Sequence, residues 1–391
     1  MNTPSVNDLL KRGVAEVLPD ADALKKKLSS GKKLRVKLGI DPTGADLHLG
    51  HAVPLRKLRQ FQDAGHTAVL IIGDTTAQIG DPSGKDVTRT ALSADDVRRN
   101  SETYLAQAHL VLAKRNLEVH RQSAWFAQFG LEDVIALAAQ VTVPQLLAHD
   151  TFRQRLSRGT PFSAHELLYP LLQGFDSVAV HADIELGAVE QKFNILMGRE
   201  VQKAYQQTPQ SVLLVPYLLG TDGKEKMSKS LGNTIALRDT ANDMYGKAMS
   251  IPDSQIKQWF ELATTCATTD VTAALKLANP RDRKMRLAKE IVMLYHGSPA
   301  ATAAEQYFVQ TFHEGVIDPN QIPAVSVTER QPLTELLVTT GLAVTKSDAR
   351  RAIEQGGVKV DGKVAKDWKQ VVMPKPGMIL QRGKKSFRRV V

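Results

Sequence analysis

Two stretches far apart in the chain carry the residue types that phosphate chemistry needs. The first is DPTGADLHLGH, Asp41 to His51, which follows the strand-like LRVKLGI and opens a helical pattern. A helix N-terminus presents unpaired N–H groups and a positive dipole, so an anion is welcome there. His48 and His51 are three apart and share one helical face. Gly50 between them is expected to let a flat or bulky ligand approach the main chain. Two imidazoles donating to phosphate oxygens would stabilise the charge that builds up as an α-phosphate is attacked. Taken alone, the pattern also fits a paired metal site or two surface histidines, although no third ligand lies nearby and no HExxH occurs.

The second stretch is TDGKEKMSKS, Thr221 to Ser230, on a Gly-, Ser- and Lys-rich loop after the strand-like Val212–Val215. Lys226 and Lys229, flanked by Ser228 and Ser230, could close over a triphosphate and neutralise a leaving pyrophosphate. Alone, five such residues read as a solvated turn. Two phosphate-directed patterns about 175 residues apart on one sheet are harder to dismiss. A third segment, IGDPSGK (Ile79–Lys85), is not a Walker A loop, because only three residues separate Gly80 from Gly84 and Asp86 follows the lysine. In HELLYPLLQGFDSV, Tyr169, Gln173 and Asp176 fall on one helical face, a polar strip otherwise set among Leu and Phe. Such a strip must be hydrogen-bonded or bind something.

The elements that position these residues alternate. Leu34–Ile40, Ala68–Gly73, Leu117–His120 and Val212–Val215 read as strands. Helical patterns run from about His48 to Ala64, from an N-cap at Ser93, over Leu131–Ala139, and over 163–174 and 191–206. This alternation predicts an α/β, Rossmann-like doubly wound parallel sheet over residues 1–238. From Asp239 the pattern turns helical, with candidates at Asp239–Met249, Ser254–Leu262, Asp270–Ala278 and Arg281–His296, which predicts a helical domain over 239–316. Residues 317–332 hold three prolines and read as a linker. The remainder, 333–391, predicts a small α+β module: helices at Leu333–Thr340 and Lys346–Gln355, then GG, VKV and a DG turn.

Composition restricts the function classes. Hydrophobic content of 42% and charged content of 24% are those of an ordinary globular protein. No run of roughly eighteen apolar residues is present, so no membrane span is expected. One cysteine, Cys266, excludes an intrachain disulfide and a CxxC zinc site, and suits a reducing cytoplasm. The net charge of +10 is concentrated: residues 331–391 hold 13 Lys or Arg against 5 Asp or Glu. Lys346, Arg350 and Arg351 on or beside a helix, and Lys384, Lys385, Arg388 and Arg389 at the terminus, match a polyanion as well as they match a solvated tail.

HxGH together with KMSKS resembles the class I aminoacyl-tRNA synthetases, and the likeness to the tyrosyl members extends from LRVKLGIDPTGADLHLGH to the C-terminus. That resemblance implies a Rossmann-like enzyme that activates L-tyrosine with ATP and Mg2+, then esterifies the 3′ end of tRNA(Tyr), working as a homodimer in the cytoplasm. It implies catalytic roles for His48, His51, Lys226, Lys229 and Thr43. It places ATP against Gly39, Asp41, Gly50, Glu190, Gln191, Met227, Ser228 and Lys229. Tyrosine would meet Asp81, Tyr169 and Gln173 at its ammonium and Asp176 at its phenol, with Lys37 beside the phenol. Lys85 and Arg89 would lie near the triphosphate or the tRNA end. The C-terminal module resembles the RNA-binding fold of ribosomal protein S-four, which assigns Lys346, Arg350, Arg351, Lys384, Lys385 and Arg388 to tRNA. Neither a resident metal nor an editing domain is implied.

Four positions depart from the family pattern. Lys37 stands where many members have a phenol-binding tyrosine, a feature of a second bacterial branch. In GAVEQ (Gly187–Gln191), Glu190 replaces a ribose-binding Asp and Val189 a small polar residue. Ala77 replaces a glycine, and its methyl group is expected to narrow the pocket floor. Rival readings are a tryptophanyl synthetase, a synthetase-derived RNA-binding protein without catalysis, and an unrelated nucleotidyltransferase.

Overall fold

The computed structural model describes residues 4–83, 92–228, 231–314, 322–383 and 386–391. Its main sheet has six strands: β1 (Glu16–Leu18), β2 (Arg35–Ile40), β3 (Thr67–Ile72), β4 (Leu117–Arg121), β5 (Ile184–Ala188) and β6 (Ser211–Val215). Their order is β1-β6-β5-β2-β3-β4, parallel except for β1, which pairs antiparallel with β6. The central strands are continuous apolar runs such as TAVLII in β3, as expected where helices cover both faces. Strand order reverses between β2 and β5. Ligands of doubly wound sheets lie at that switch point, outside the carboxyl ends of the strands. The antiparallel β1 was not foreseen, because three half-buried residues carry little periodic signal.

Around the sheet the expected helices form with small shifts. Leu49–Asp63 buries Leu49, Ala52, Leu55, Leu58 and Phe61 against it. Ser93 does cap the Ala94–Ala108 helix, accepting the Asp96 N–H. The stretch expected as one helix over 163–174 is a 3-10 turn, Ala164–Leu168, followed by the helix Tyr169–Ala179.

The helical region contains Ala241–Met249, Ile256–Ala263, Thr268–Leu275 and Pro280–Val309. The last runs past the expected His296, bending at Gly297, whose φ of 82° is open to a residue without a Cβ. One apolar core continues from the sheet into these helices, joining Leu38 and Leu55 to Trp259, Phe260 and Ile291.

The C-terminal module has its own core, including Leu333, Leu336, Ile353 and Leu380. Part of the expected linker belongs to it. Ala324–Val325 pairs in parallel with Ser386–Val390, and Gln331–Pro332 pairs with Val371–Val372. Proline is tolerated there because these are short, edge-type pairings. The module touches the helices through the rings of Phe312 and Phe387, 6.2 Å apart, and through Arg388 and Asp243 at 3.5 Å. Among the described residues no helix is long and apolar enough to cross a membrane.

Candidate active site

A cavity of about 280 Å³ opens at the carboxyl ends of β2 and β5, where strand order reverses. His48, His51, Lys226, Thr43, Gly39, Asp41, Gly50, Glu190, Gln191, Met227, Asp81, Tyr169, Gln173 and Asp176 all line it. A Cβ on Gly39 would meet nothing within 4 Å, so this glycine leaves room in the cavity.

The two histidines are held by the helix they open. His48 is the N-cap of Leu49–Asp63, and its Nδ1 accepts the Gly50 N–H at 3.1 Å. His51 Nδ1 accepts the His48 N–H at 3.3 Å. The result is a capping box with imidazoles in place of the usual hydroxyl and carboxylate. A ring whose Nδ1 accepts must, when neutral, carry its proton on Nε2. The two ring centroids are 3.8 Å apart. The role of Gly50 differs from the expected one. Space above it is filled by the His48 ring, 2.9 Å from where a Cβ would stand. The glycine is needed so that the histidine can fold back and cap.

The KMSKS loop is tied to this helix by main chain. Leu49 N donates to Ile235 O, and Leu237 N donates to Leu47 O, both at 2.9 Å. Met227 packs within 3.6 Å of the Gly50 Cβ direction. Asn233 folds the loop, donating to Asp222 Oδ2 at 2.8 Å and the Lys226 carbonyl at 3.3 Å, and accepting the Ser228 N–H at 2.8 Å. Lys226 thereby comes within 3.8 Å of Glu190. Glu190 Oε2 is buried without a hydrogen-bond partner among the described residues, an acceptor open to a ligand hydroxyl. Ser228 does not line the cavity; Lys229 and Ser230 lie outside the described residues.

At the other end the helix Tyr169–Ala179 turns its polar strip inward. Tyr169 donates its hydroxyl to Asp41 Oδ2 at 2.9 Å, and Thr76 donates to Asp41 Oδ1 at 2.7 Å. A Cβ on Gly73 would stand 2.0 Å from that Oδ1, so the glycine makes space for the carboxylate. Asp81 accepts from Gln191 Nε2 at 2.6 Å and from Ser83 N at 2.8 Å. Asp176, 1% exposed, accepts from Gln122 Nε2 at 2.7 Å and Trp125 Nε1 at 3.2 Å. Burial pushes its carboxyl up to about 7, against the pull of the Lys37 ammonium and of the Gln122 hydrogen bond. Thr43 is hydrogen-bonded to Tyr104, whose phenol burial pushes upward.

Gln122 and Thr76 were not singled out from sequence. Gln122 follows directly on β4, and position after a strand end is the signal that could have found it.

Several expected residues lie elsewhere. Lys37 does not line the cavity; it is completely buried beneath it. Ala77 is buried and does not line the cavity either, so its methyl narrows no floor. Val189 packs against the apolar cluster of Ile195, Val212 and Leu214, which explains an apolar residue there. Lys346, Arg350 and Arg351 are exposed on one helix, Arg350 lying 4.3 Å over the Trp368 ring. Arg388 is turned inward, donating to Thr340 O at 3.1 Å and Phe387 O at 2.8 Å. Lys85, Arg89, Lys384 and Lys385 lie outside the described residues.

A doubly wound sheet with a histidine-capped helix and Lys226 beside its switch point has the layout of a nucleotide-binding site. Comparison with known proteins agrees. The model of the tRNA synthetases class I (W and Y) matches residues 29–313, and that of the S4 domain matches 331–374. The tyrosine–tRNA ligase of Moorella thermoacetica is 46% identical over 98% of this chain and 94% of its own length. That of Dehalococcoides mccartyi is 47% identical over 99% and 98%. The structure also resembles the C-terminally truncated mitochondrial tyrosyl-tRNA synthetase of Aspergillus nidulans. There the TM-score is 0.67 at 22% identity, over 78% of this chain and 94% of that one, a likeness of fold. The chain belongs to the class I tRNA synthetases of the W and Y type and, within them, to the tyrosine–tRNA ligases.

Proposed function

We propose that the cavity carries out both half-reactions of a tyrosine–tRNA ligase, with the following division of roles. Tyrosine enters with its ammonium toward Asp81, Tyr169 and Gln173, and its phenol donates to Asp176. ATP lies with its ribose toward Glu190 and Gln191, against Gly39 and Gly50, and with its phosphates beneath His48, His51 and Lys226. Mg2+ arrives on the triphosphate. The tyrosine carboxylate attacks the α-phosphate, the bond to the β-phosphate oxygen breaks, and pyrophosphate leaves. The terminal ribose hydroxyl of tRNA(Tyr) then attacks the tyrosyl carbonyl and AMP leaves. Neither step needs a covalent enzyme intermediate. Catalysis comes from positioning and from Nε2–H and ammonium donors aimed at the charge that develops.

The helices of 239–316 and the basic module of 333–391 hold the tRNA, at the anticodon arm and the long variable arm respectively. Lys346, Arg350 and Arg351 lie against phosphates. A second copy of the chain covers the exposed Leu131, Ile135, Val143 and Leu156, which a monomer would leave in water. The setting is the cytoplasm.

The observation that supports this reading best is the pairing of Leu47 and Leu49 with Ile235 and Leu237, which brings the histidines and the lysine loop to one cavity. Pyrophosphate exchange measured with each of the twenty amino acids tests it, and tyrosine alone should support turnover. Asp176→Ala should lower tyrosine-dependent exchange about 100-fold while leaving the fold intact, since a buried charged acceptor is lost. Undiminished exchange in that variant would sink the assignment.

A further inference from the structure

Lys37 sits in the middle of β2 with no exposed surface, and its register partner in the parallel pairing with β5 is Glu185, itself 1% exposed. Their side chains form an ion pair at 3.0 Å. The ammonium also donates to the Gln173 carbonyl at 3.0 Å and the Ser177 hydroxyl at 2.8 Å. Three acceptors match its three donors. Glu185 in turn accepts from the Ser177 hydroxyl at 3.1 Å, from the Gln173 amide at 3.4 Å, and from Gln210. Gln173 and Ser177 bracket Asp176 on the helix Tyr169–Ala179.

A buried ion pair is costly to desolvate, and a well-packed apolar pair of similar volume is often as stable. Filling space under the cavity therefore does not account for these two residues. We propose that the Lys37–Glu185 pair is a positioning device for Asp176. It fastens the helix turn that carries this carboxylate, and its ammonium is the cation beside it. Through Asp176 it sets the preference for tyrosine over phenylalanine. The inference rests on Asp176 receiving the substrate phenol.

The charged groups that face Asp176 are Lys37 from β2, Glu185 from β5 and Asp41 from the loop after β2. Lys37 is the cation among them. Burial, Glu185 and Asp41 all favour a protonated Asp176, and Lys37 with Gln122 opposes them. A carboxylate accepts the phenol proton, whereas a carboxylic acid competes with it as a donor. Tyrosine affinity is thus full above the Asp176 midpoint, near 7, and is lost as pH falls through it. Phenylalanine uses no such contact, so its weak binding has no corresponding pH step. Removing Lys37 moves the midpoint upward.

Lys37→Met alone leaves Glu185 buried and unpaired, so the test uses the double variant Lys37→Met with Glu185→Gln, which keeps the volume and removes both charges. Steady-state pyrophosphate exchange with tyrosine and with phenylalanine is measured from pH 6 to pH 9. The expected result is a tyrosine-over-phenylalanine ratio of kcat/KM lowered roughly tenfold or more, carried by the tyrosine KM with the ATP KM unchanged. The pH midpoint of the tyrosine KM should rise, because the pull of Lys37 on Asp176 outweighs the opposing push of Glu185 that is lost with it. A wild-type ratio and wild-type pH profile in the double variant overturn the inference, provided that Asp176→Asn loses tyrosine preference. If Asp176→Asn keeps its preference, the reading of Asp176 fails, and the inference falls with it.

Discussion

The helix Leu49–Asp63 separates two cavities that differ in how their cations are held. On its N-terminal side lies the cavity at the sheet's switch point, lined by His48 and His51. Glu190 Oε2 is buried there with no partner among the described residues. A second cavity, of about 190 Å³, lies against Val53, Arg56, Lys57 and Gln60 of the same helix and is the richer in cations. Its four cations, Arg12, Arg56, Lys57 and Arg59, are all bound to protein. Arg12 donates to the carbonyls of Phe260, Thr264 and Cys266. Arg56 donates to the Leu262 carbonyl and to Tyr295 Oη. Lys57 donates to the carbonyls of Leu9 and Arg12, and Arg59 to Asp63 and the Val111 carbonyl. Phe260 and Leu262 lie in the last turn of Ile256–Ala263, whose carbonyls have no intrahelical partner. These cations thus terminate a helix and bind the N-terminal segment to the sheet. Charge density does not mark a site. Each cavity also holds a buried acceptor without a partner among the described residues, Glu190 Oε2 in the first and Gln60 Oε1 in the second.

The strongest way to break this contrast is to separate capping from chemistry. Asparagine is a good N-cap, so His48→Asn should preserve the helix while lowering tyrosine-dependent pyrophosphate exchange roughly 100- to 1000-fold, as should His51→Ala. Thermal unfolding alongside the exchange assay checks both. A near-normal rate in His48→Asn would reduce the histidines to caps and erase the difference between the cavities.

Arg56→Met should do the converse. With the Leu262 carbonyl left unpaired, it should lose about 1–3 kcal/mol of stability in denaturant unfolding and leave exchange within about twofold of wild type. A large loss of rate at preserved stability would mean that the second cavity serves catalysis.

The smallest effect at neutral pH is expected from Lys57→Met. Burial holds the Lys57 amine down at about 7, below its unfolded value of 10.5. Between these values the unfolded chain binds the extra proton, so stability should rise as pH increases from about 7 to 10. The variant should lack that rise in a plot of melting temperature against pH. An unchanged plot would show that Lys57 is solvated.

Much of the site was legible along the chain, because its pieces are local. Tyr169, Gln173 and Asp176 share a face through helical spacing alone, and His48 and His51 through a spacing of three. The family pattern then supplied roles that no spacing could assign. Gly50 shows how a correct position can be chosen for a different reason. Only the fold of the His48 ring back onto its own helix shows why a side chain cannot stand there. Lys37 was expected beside the phenol and lies a layer deeper, since a period of two in a strand says which residues alternate but not which face meets the cavity.

By itself, then, the sequence determined the strand and helix alternation, the helix entry at His48, the inward polar strip and the basic C-terminal module. Each depends on neighbours a few residues away. Tertiary structure alone decided that Ile235 and Leu237 pair beside Leu47 and Leu49, that Gln122 reaches Asp176, and that Lys37 faces Glu185. Those contacts follow from strand order and register, which bring together residues that no local period relates.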